Sequence, residues 1–366
     1  MREGRTGALF GALVIAIVAC SAPPASSDGP IARASSAIVF GDASPPSQDF
    51  VVEVVHPVSS RGAFVCSGSL VAPNLVLTAR HCVSATSNVG FTCDSSGDGT
   101  DGGAIGPDYD PSSVYIYAGS RAPTQFTTPS ATAVRFFHDD ATNVCNHDLA
   151  LIELRQPITG VKVGALDLAS TPAAGQTITT VGWGVTADGG APGLRQERGG
   201  VAIVAVGPAD VPSGYAVGPA EFDVGESICV GDSGGPALDS SNAIVGVVSR
   251  GGNDAPPSAT NPAVGCLGRS TVNFYTETAP YKDFILGVFK TVGATPVLGG
   301  APMDATAPGS GCTLAAADAR GDGAIFVGAG LLMAAGRRRG RRRRPTSRPD
   351  APARADRRAS SPAPRA

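Results

Sequence analysis

The feature that most restricts the fold of this chain is a series of short apolar runs between Ile38 and Lys290, separated by Gly, Pro, Asn and Asp. The runs are rich in β-branched residues and too short for most helices, which is typical of strands. The clearest are VVEVV (51–55), GSLVAPNLVLTA (68–79), SVYIYAG (113–119), LALIEL (149–154), TITTVGWG (177–184), GVAIVAVG (200–207) and IVGVVS (244–249). Only YKDFILGVFK (281–290) places its apolar residues on one side of a helix. With 48 Gly and 30 Pro among 366 residues, the pattern predicts an all-β barrel or sandwich with one terminal helix.

The charge is unevenly divided along the chain. Twelve arginines and two aspartates from residue 337 onward give the tail a charge of +10, which leaves -13 for the rest of a chain whose net charge is -3. The chain is therefore an acidic body with a basic tail, and the two parts require separate interpretations.

The first twenty residues have the parts of an export signal. Arg2 and Arg5 precede an apolar segment, residues 8–19, that is too short to span a bilayer. The following Cys20 ends a sequence, IVAC, that resembles a bacterial lipobox, in which the cysteine is lipidated; the alternative is an ordinary signal peptide cut a few residues later. Residues 21–37 are small, polar and proline-bearing, which predicts a propeptide or linker.

Export places the cysteines in an oxidising compartment, where they are expected to pair. Cys20 and Cys312 lie near the two ends of the chain. The other six all lie in the β-rich body: Cys66, Cys82, Cys93, Cys145, Cys229 and Cys266. This even number predicts three disulfides.

Three segments carry residues suited to nucleophilic catalysis. CVGDSGGPA (229–237) places a serine between glycines, which allow a tight turn and a close approach of backbone N–H groups to a substrate oxygen. VLTARHC (76–82) places His81 at the end of an apolar strand. NHDLALIEL (146–154) places Asp148 before a strongly apolar strand. A carboxylate drawn into the interior needs a partner, and a histidine N–H is a suitable one.

Their order along the chain, His81, Asp148, Ser233, resembles that of the chymotrypsin/trypsin-like serine peptidase family, since other folds carrying this triad have other orders. Further matching segments are IVFG (38–41), VGWG (181–184), VVSRG (247–251), NFYT (273–276) and the terminal helix. The resemblance covers residues 38–290. It implies two six-stranded antiparallel β-barrels with the active site in the cleft between them.

The resemblance implies a role for each catalytic residue. Ser233 would attack the scissile carbonyl of a polypeptide, His81 would transfer the proton, and Asp148 would orient the imidazole, with Ser249 donating to that carboxylate. Backbone N–H groups of Gly231 and Ser233 would form the oxyanion hole. No cofactor is implied. The alternative, from a different class, is an inactive homologue that acts as a surface binding or adhesion module.

The pocket residues implied by the resemblance do not suit a basic substrate side chain. Ser227 takes the place at the pocket floor where trypsin-like members have an aspartate. Asn273 takes a wall position usually held by glycine, which would narrow a pocket also lined by Ser249 and Gly251. Small or medium uncharged side chains are therefore expected before the cleaved bond, although the insertion between Gly251 and Cys266 can reshape the wall.

The segment IVFG implies activation of a zymogen. In the family, the freed N-terminal amine inserts and pairs with the aspartate before the nucleophile, which is Asp232 in this sequence. Ala37 precedes Ile38, so the resemblance predicts an activating protease that prefers small residues, or the enzyme itself.

The same resemblance implies the disulfide pairs. Cys66 would pair with Cys82 and Cys229 with Cys266, which leaves Cys93 and Cys145 by elimination. The last pair would hold an acidic insertion, CDSSGDGTDGGAIGPDYD (93–110). The resemblance allows calcium binding by this loop, as in some family members, but its spacing fits no calcium loop, so a solvated loop is expected.

The remaining histidines are predicted to be ordinary. His147 adjoins Asp148, but its side chain should lie on the opposite strand face. His56 and His138 carry no motif, and the four histidines are not spaced as metal ligands. Arg80 departs from the family, which commonly has alanine there, and places a cation beside His81.

The C-terminal region resembles a sorting signal. Residues 291–311 are predicted to be a linker. Cys312 is followed by an uninterrupted apolar stretch at 323–336 and then by seven arginines in eight positions, 337–344. The stretch is short for a permanent span, and the order resembles the MYXO-CTERM signals of myxobacterial surface proteins, processed at the cysteine. Export and the lack of nearby aromatic residues argue against nucleic-acid binding. Residues 345–366 are predicted to be disordered.

Overall fold

The computed structural model describes residues 38–300, apart from 60–61, 88–90, 188–189, 191–192, 212–213, 254, 256–257 and 259. The predicted export signal, the segment 21–37 and everything after residue 300, with Cys20 and Cys312, lie outside the described residues. No helix in the described part of the chain has the length and apolar character needed to cross a membrane.

The described residues contain many short strands. In chain order they are β1 (Asp42–Ala43), β2 (Val51–Ser59), β3 (Gly62–Ala72), β4 (Leu75–Thr78), β5 (Ser84–Thr86), β6 (Thr92–Cys93), β7 (Gly99–Asp101), β8 (Ile105–Asp108), β9 (Tyr115–Tyr117), β10 (Ala131–Phe137), β11 (Ala150–Leu154), β12 (Ala165–Leu166), β13 (Thr177–Gly182), β14 (Gln196–Ala202), β15 (Ala205–Val206), β16 (Ala209–Asp210), β17 (Ala216–Val217), β18 (Glu221–Asp223), β19 (Pro236–Leu238), β20 (Ala243–Gly252) and β21 (Val272–Glu277). Short 3-10 helices span Pro46–Gln48, Arg80–Cys82, Pro111–Ser113, Val264–Cys266 and Ala279–Tyr281.

The first half of the body is a closed six-stranded antiparallel barrel, in the order β10-β11-β4-β3-β2-β9. Its core is apolar, and Val52 and Val54 of β2 and Ile116 of β9 are buried in one hydrophobic cluster. The pairing of β4 with β11 places Thr78 opposite Ala150. This register matters for function, since the candidate catalytic residues His81 and Asp148 lie just beyond these two strand ends.

The second half is built on a nine-stranded sheet. Its order is β1-β14-β13-β19-β20-β21-β18-β15, and β12 joins β20 in parallel. Phe222 and Tyr275 stack in its core with ring centroids 5.1 Å apart. The all-β class is thus confirmed, as is one closed six-stranded barrel. Ser233 lies between β18 and β19, so it belongs to this second half.

Two short ladders involve the insertion at 93–110, and one of them joins it to β5, which precedes the insertion. β6 pairs with β7, and β5 pairs with β8. A further two-stranded ladder joins β16 and β17 in the second half.

The predicted terminal helix is confirmed as α1 (Lys282–Thr291). Its buried residues, Ile285, Val288 and Phe289, join the same apolar cluster as the interior of the first barrel. After the helix, the chain returns to the body, where Leu298 forms a bridge with Leu166. The helix follows the second sheet in sequence and packs into the core of the first barrel, so it ties the two halves together.

Candidate active site

Strand pairing brings His81 and Asp148 together although 67 residues separate them. β4 is buried along its whole length; beyond it the chain turns into the 3-10 helix Arg80–Cys82. β11 begins two residues after Asp148. The carboxylate of Asp148 is fully buried, and its Oδ2 lies 2.7 Å from His81 Nδ1. Its Oδ1 accepts the backbone N–H of His81 at 2.9 Å.

A third hydrogen bond comes from the second half of the molecule. Ser249 Oγ donates to Asp148 Oδ2 at 2.7 Å. With three donors around it, the buried carboxylate is satisfied and its orientation is fixed. Ser249 is on β20, so the candidate aspartate is held by both halves at once.

The two charged groups stabilise each other. Burial alone would lower the pKa of His81, but the charge and hydrogen bond of Asp148 outweigh it and raise that pKa above its ordinary value. Burial would likewise raise the pKa of Asp148, and His81 and Ser249 outweigh it in the opposite direction. Because Nδ1 is engaged with Asp148, Nε2 is the imidazole nitrogen left to accept a proton.

The serine turn packs directly against the segment that carries His81. Gly234 has a φ of +79°, and a Cβ there would lie 2.1 Å from Thr78 Oγ1. Only glycine fits this close approach. The carbonyl of Ser233 accepts the N–H of Ser67 at 2.7 Å and lies 3.7 Å from Sγ of Cys82, the neighbour of His81. Ser233, the candidate nucleophile, is itself partly exposed, which a role in attacking a substrate requires.

The glycines of the turn and of VGWG surround Asp232. Gly231 has a φ of +102°, and its carbonyl accepts a hydrogen bond from Ser67 Oγ at 3.0 Å. Asp232 is fully buried; its Oδ1 accepts the N–H of Gly184 at 2.7 Å and its Oδ2 that of Cys229 at 2.8 Å. A Cβ on Gly184 would lie 2.4 Å from Asp232 Oδ2, which explains the glycine there.

Ile38 also reaches Asp232. Ile38 is fully buried, and its backbone N–H is a further donor to that carboxylate. Burial nevertheless raises the pKa of Asp232 to about 7, because these donors are neutral.

The pocket residues form one compact polar group. Ser227 is fully buried and its Oγ donates to the carbonyl of Gly225 at 3.2 Å. The side-chain amide of Asn273 donates to the same carbonyl and lies 3.4 Å from Ser227 Oγ. Gly251 is the register partner of Asn273, and a Cβ on it would lie 2.0 Å from Asn273 Oδ1. The Asn273 side chain therefore occupies the space between these segments.

Comparison with known proteins identifies the family. The family model described as Trypsin matches residues 38–285. The chain belongs to the trypsin family. It is 31% identical over 198 residues to trypsin iota of Drosophila melanogaster, covering 51% of this chain and 68% of that protein.

Two further relatives have somewhat lower sequence identity. Trypsin alpha-4 of Lucilia cuprina is 24% identical over 292 residues, 76% of this chain and 98% of that protein. Human chymotrypsin-like elastase family member 3B is 28% identical over 187 residues, 48% and 58% respectively.

The structure contains three disulfides, Cys66–Cys82, Cys93–Cys145 and Cys229–Cys266, the same pairs that the trypsin-like resemblance implies. One compact His/Cys/acid group of the kind that holds metals occurs among the described residues, and it consists of Cys66, His81 and Cys82. Both of its sulfurs are in a disulfide and cannot act as thiolate ligands. In the insertion, Asp94 Oδ1 accepts the backbone N–H groups of Ser96 and Asp98 at 2.9 and 3.0 Å.

Arg80 is the residue whose surroundings the sequence did not reveal. It is 5% exposed. Its Nε donates to Ser84 Oγ at 2.7 Å, and one of its terminal nitrogens lies 3.6 Å from Asp108. The cation beside His81 is therefore balanced by a carboxylate of the acidic insertion. No local pattern marks this pair, since Arg80 and Asp108 lie far apart in the sequence and meet only in the tertiary fold.

The other histidines have partners away from the triad. His147 Nδ1 lies 2.6 Å from Asp139 Oδ2, which raises the pKa of His147. His138 Nε2 lies 2.8 Å from Asp108 Oδ2. His56 stacks on Tyr109 with centroids 4.1 Å apart.

Proposed function

We propose that this trypsin-family chain is an exported serine endopeptidase that hydrolyses peptide bonds through an acyl-enzyme. The observation that carries the proposal is the hydrogen-bonded pair of His81 and Asp148, to which Ser249 also donates. The Ser233 turn packs against Thr78, in the segment that leads to His81. The match of the Trypsin model over residues 38–285 supports the same activity class.

In this mechanism Ser233 Oγ attacks the scissile carbonyl and passes its proton to His81 Nε2. Asp148 keeps the imidazole in the tautomer with the proton on Nδ1 and stabilises the imidazolium. The imidazolium then gives its proton to the leaving amine, and water repeats the sequence to release the acyl group. Backbone N–H groups of Gly231 and Ser233 stabilise the developing oxyanion, where one lost donor costs about 10²–10³ in kcat.

The test is covalent labelling by a fluorophosphonate. The processed protein should be labelled at Ser233, and Ser233→Ala should abolish the label. A folded, processed protein that takes up no label would instead favour the second function, an inactive surface binding or adhesion module.

The substrate preference follows from the pocket residues. Ser227 supplies no charge to pair with Lys or Arg, and the Asn273 amide fills part of the space beside Gly251. We infer a preference for small or medium uncharged side chains before the cleaved bond. In a peptide library, Asn273→Gly should extend cleavage to larger residues; strong cleavage after Lys or Arg by the unaltered enzyme would contradict the inference.

Activation is proposed to follow cleavage between Ala37 and Ile38. The freed α-ammonium would replace a neutral N–H beside the buried Asp232 and would supply the missing positive charge. This favours the ionised carboxylate and orders the oxyanion hole. A mature active enzyme whose N-terminus is not Ile38 would contradict activation by this cleavage.

The two ends of the chain are proposed to direct its location. Residues 1–20 export the protein, with lipidation at Cys20 or simple cleavage as alternatives, and residues 312–344 engage the sorting machinery and the membrane, with processing at Cys312. Mass spectrometry of both ends of the mature protein tests this. A soluble active enzyme that keeps residues 313–366 would contradict the sorting role.

A further inference from the structure

A buried ion pair in the second half reaches the loop that carries Asp148. The carboxylate of Glu221, on β18, is fully buried. Its Oε1 accepts the backbone N–H of Asn146 at 3.0 Å, and its Oε2 accepts that of Gly218 at 3.0 Å. Arg250 donates to both oxygens, to Oε2 at 2.8 Å and to Oε1 through a shorter bond. Glu221 is thus fully satisfied, and one of its bonds ends two residues before Asp148.

Arg250 is itself held in place. Its side chain is 8% exposed, and the guanidinium lies 4.2 Å from the ring centroid of Phe274, a favourable cation–π distance. On β20 it directly follows Ser249, the donor to Asp148. The strand therefore reaches the aspartate loop twice, once through Ser249 and once through Arg250 and Glu221.

Asn146 is the point where these bonds meet the first half. It adopts a φ of +64°, an unusual conformation that asparagine tolerates better than most residues. Its Oδ1 accepts the N–H of Ala220 at 2.5 Å, and its carbonyl accepts the hydroxyl of Tyr281. The backbone immediately before Asp148 is therefore fixed by side chains of the second half and of the terminal segment.

We propose that Arg250 and Glu221 are positioning residues for the triad. They hold Asn146, and through it the carboxylate of Asp148, in the geometry that His81 requires. This role rests on the proposed peptidase function. A misplacement of about 1 Å in a catalytic group can cost about 10²-fold in rate. Because Glu221 holds the backbone two residues before Asp148, a shift of Glu221 or Arg250 should lower kcat.

A direct role for Arg250 in binding an acidic substrate fits the structure less well. Its guanidinium is almost completely covered and its charge is neutralised by Glu221. A cation that recruits substrate has to present free donors to the cleft. The Arg250 guanidinium instead donates to both carboxylate oxygens of the buried Glu221.

The experiment compares Glu221→Gln and Arg250→Lys with Arg195→Lys. Arg195 is a buried arginine that pairs with Asp49, whose side chain is 42% exposed. Its other hydrogen-bond partners, Ser44, Pro45, Val51 and Gly119, are not residues of the candidate site. Glu221→Gln and Arg250→Lys should each lower kcat by about 10- to 100-fold, and KM should change by less than about threefold. Arg195→Lys should lower the melting temperature but leave kcat per folded molecule unchanged.

Removing one member of a buried ion pair can prevent folding. The double variant Glu221→Gln/Arg250→Met removes both charges and provides a form that avoids an unpaired buried charge. Its kcat should fall as in the single variants. Folded variants with unchanged kcat, or a change confined to KM, would overturn the positioning role.

A second readout does not depend on turnover. In a Ser233→Ala background, the His81 Nδ1 proton shared with Asp148 is followed by proton NMR. We expect its downfield resonance to move or broaden in Glu221→Gln and to stay in place in Arg195→Lys. If the wild type hydrolyses nothing, the proposed function fails; if this resonance is insensitive to Glu221→Gln, the positioning role fails.

Discussion

The strands of the closed barrel bury one carboxylate, that of Glu53, whereas the strands of the nine-stranded sheet bury three, Glu221, Asp223 and Glu277, in the part of the chain that the structure describes. The barrel interior belongs to a large apolar cluster that also includes α1 and sheet residues such as Leu238 and Ile244. In the sheet, Glu221 and Asp223 accept hydrogen bonds from backbone N–H groups, and Glu221 also from an arginine.

This difference separates two tasks. An apolar, closed barrel has no sheet edge and gives a rigid frame, from whose strand ends His81 and Asp148 project. The half built on the sheet carries Ser233, the predicted pocket residues and the buried pair of Arg250 and Glu221, which we propose positions Asp148. We therefore expect packing to matter most for the stability of the barrel, and buried charges of the second half to matter most for the geometry of the candidate site.

The largest effect is expected where the halves meet. Asp148→Asn keeps the shape of the side chain but removes the charge that holds His81, so kcat should fall by about 10⁴-fold. Thermal unfolding should change far less than activity. Steady-state kinetics measures kcat, and calorimetry measures thermal unfolding. A loss of activity fully explained by unfolding would contradict the separation of a stabilising barrel from a second half that positions the site.

The next largest effect tests the apolar frame. Ile116 is fully buried on β9, on the barrel and away from the triad. Ile116→Ala should lower the free energy of unfolding by about 2–5 kcal/mol without altering kcat per folded molecule. Phe126, which is 85% exposed, is the control, and Phe126→Ala should have almost no effect in denaturant titrations.

A smaller effect is expected on the pH dependence of stability, through the buried glutamates Glu53 and Glu277. Burial raises the pKa of Glu53 on β2 and of Glu277 on β21 to about 7 each, from an ordinary 4.5. Between pH 4.5 and 7 the folded state then binds more protons than the unfolded state, so stability falls as the pH rises through this window.

Replacing either glutamate by glutamine should remove its share of that pH dependence. At pH 8, Glu53→Gln should raise the free energy of unfolding by about 1–3 kcal/mol. The gain should vanish near pH 4, where both glutamates are protonated. Urea titrations at pH 4 and pH 8 provide the measurement, and an equal effect at both pH values would argue that packing, rather than ionisation, is responsible.

The smallest effect concerns the outside of the barrel. Arg135 and Glu153 form an exposed pair at 2.7 Å across β10 and β11. Arg135→Met should cost less than about 1 kcal/mol and become neutral in high salt. A larger loss in the same titration would show that electrostatics contribute to the barrel as well.

Local sequence predicted the parts of the site that are adjacent in the chain. The glycines around Ser233, the histidine after β4 and the aspartate before β11 each follow from their own segment, and the terminal helix from its period. The pairing of β4 with β11 then places Asp148 beside His81 without any further information.

Arg250, Glu221 and the counter-charge of Arg80 could not be found in this way. The partners Arg250 and Glu221 are 29 residues apart in the sequence. Arg80 forms its ion pair with Asp108, which belongs to the insertion. Each of these charges reads as an ordinary surface residue in its own segment. Only the tertiary fold determines that water is excluded and that a counter-charge is present.

The close approach of Gly234 to Thr78 also limits how such a protein can be diversified. A side chain at position 234 would collide with Thr78 Oγ1 and the Ser67 carbonyl, so the serine turn and the histidine strand can change only together. A mutagenesis library aimed at new substrates should therefore vary Ser227 and Asn273 and leave this contact intact. The freedom to alter specificity and the constraint that keeps the nucleophile in place reside in neighbouring but separate residues.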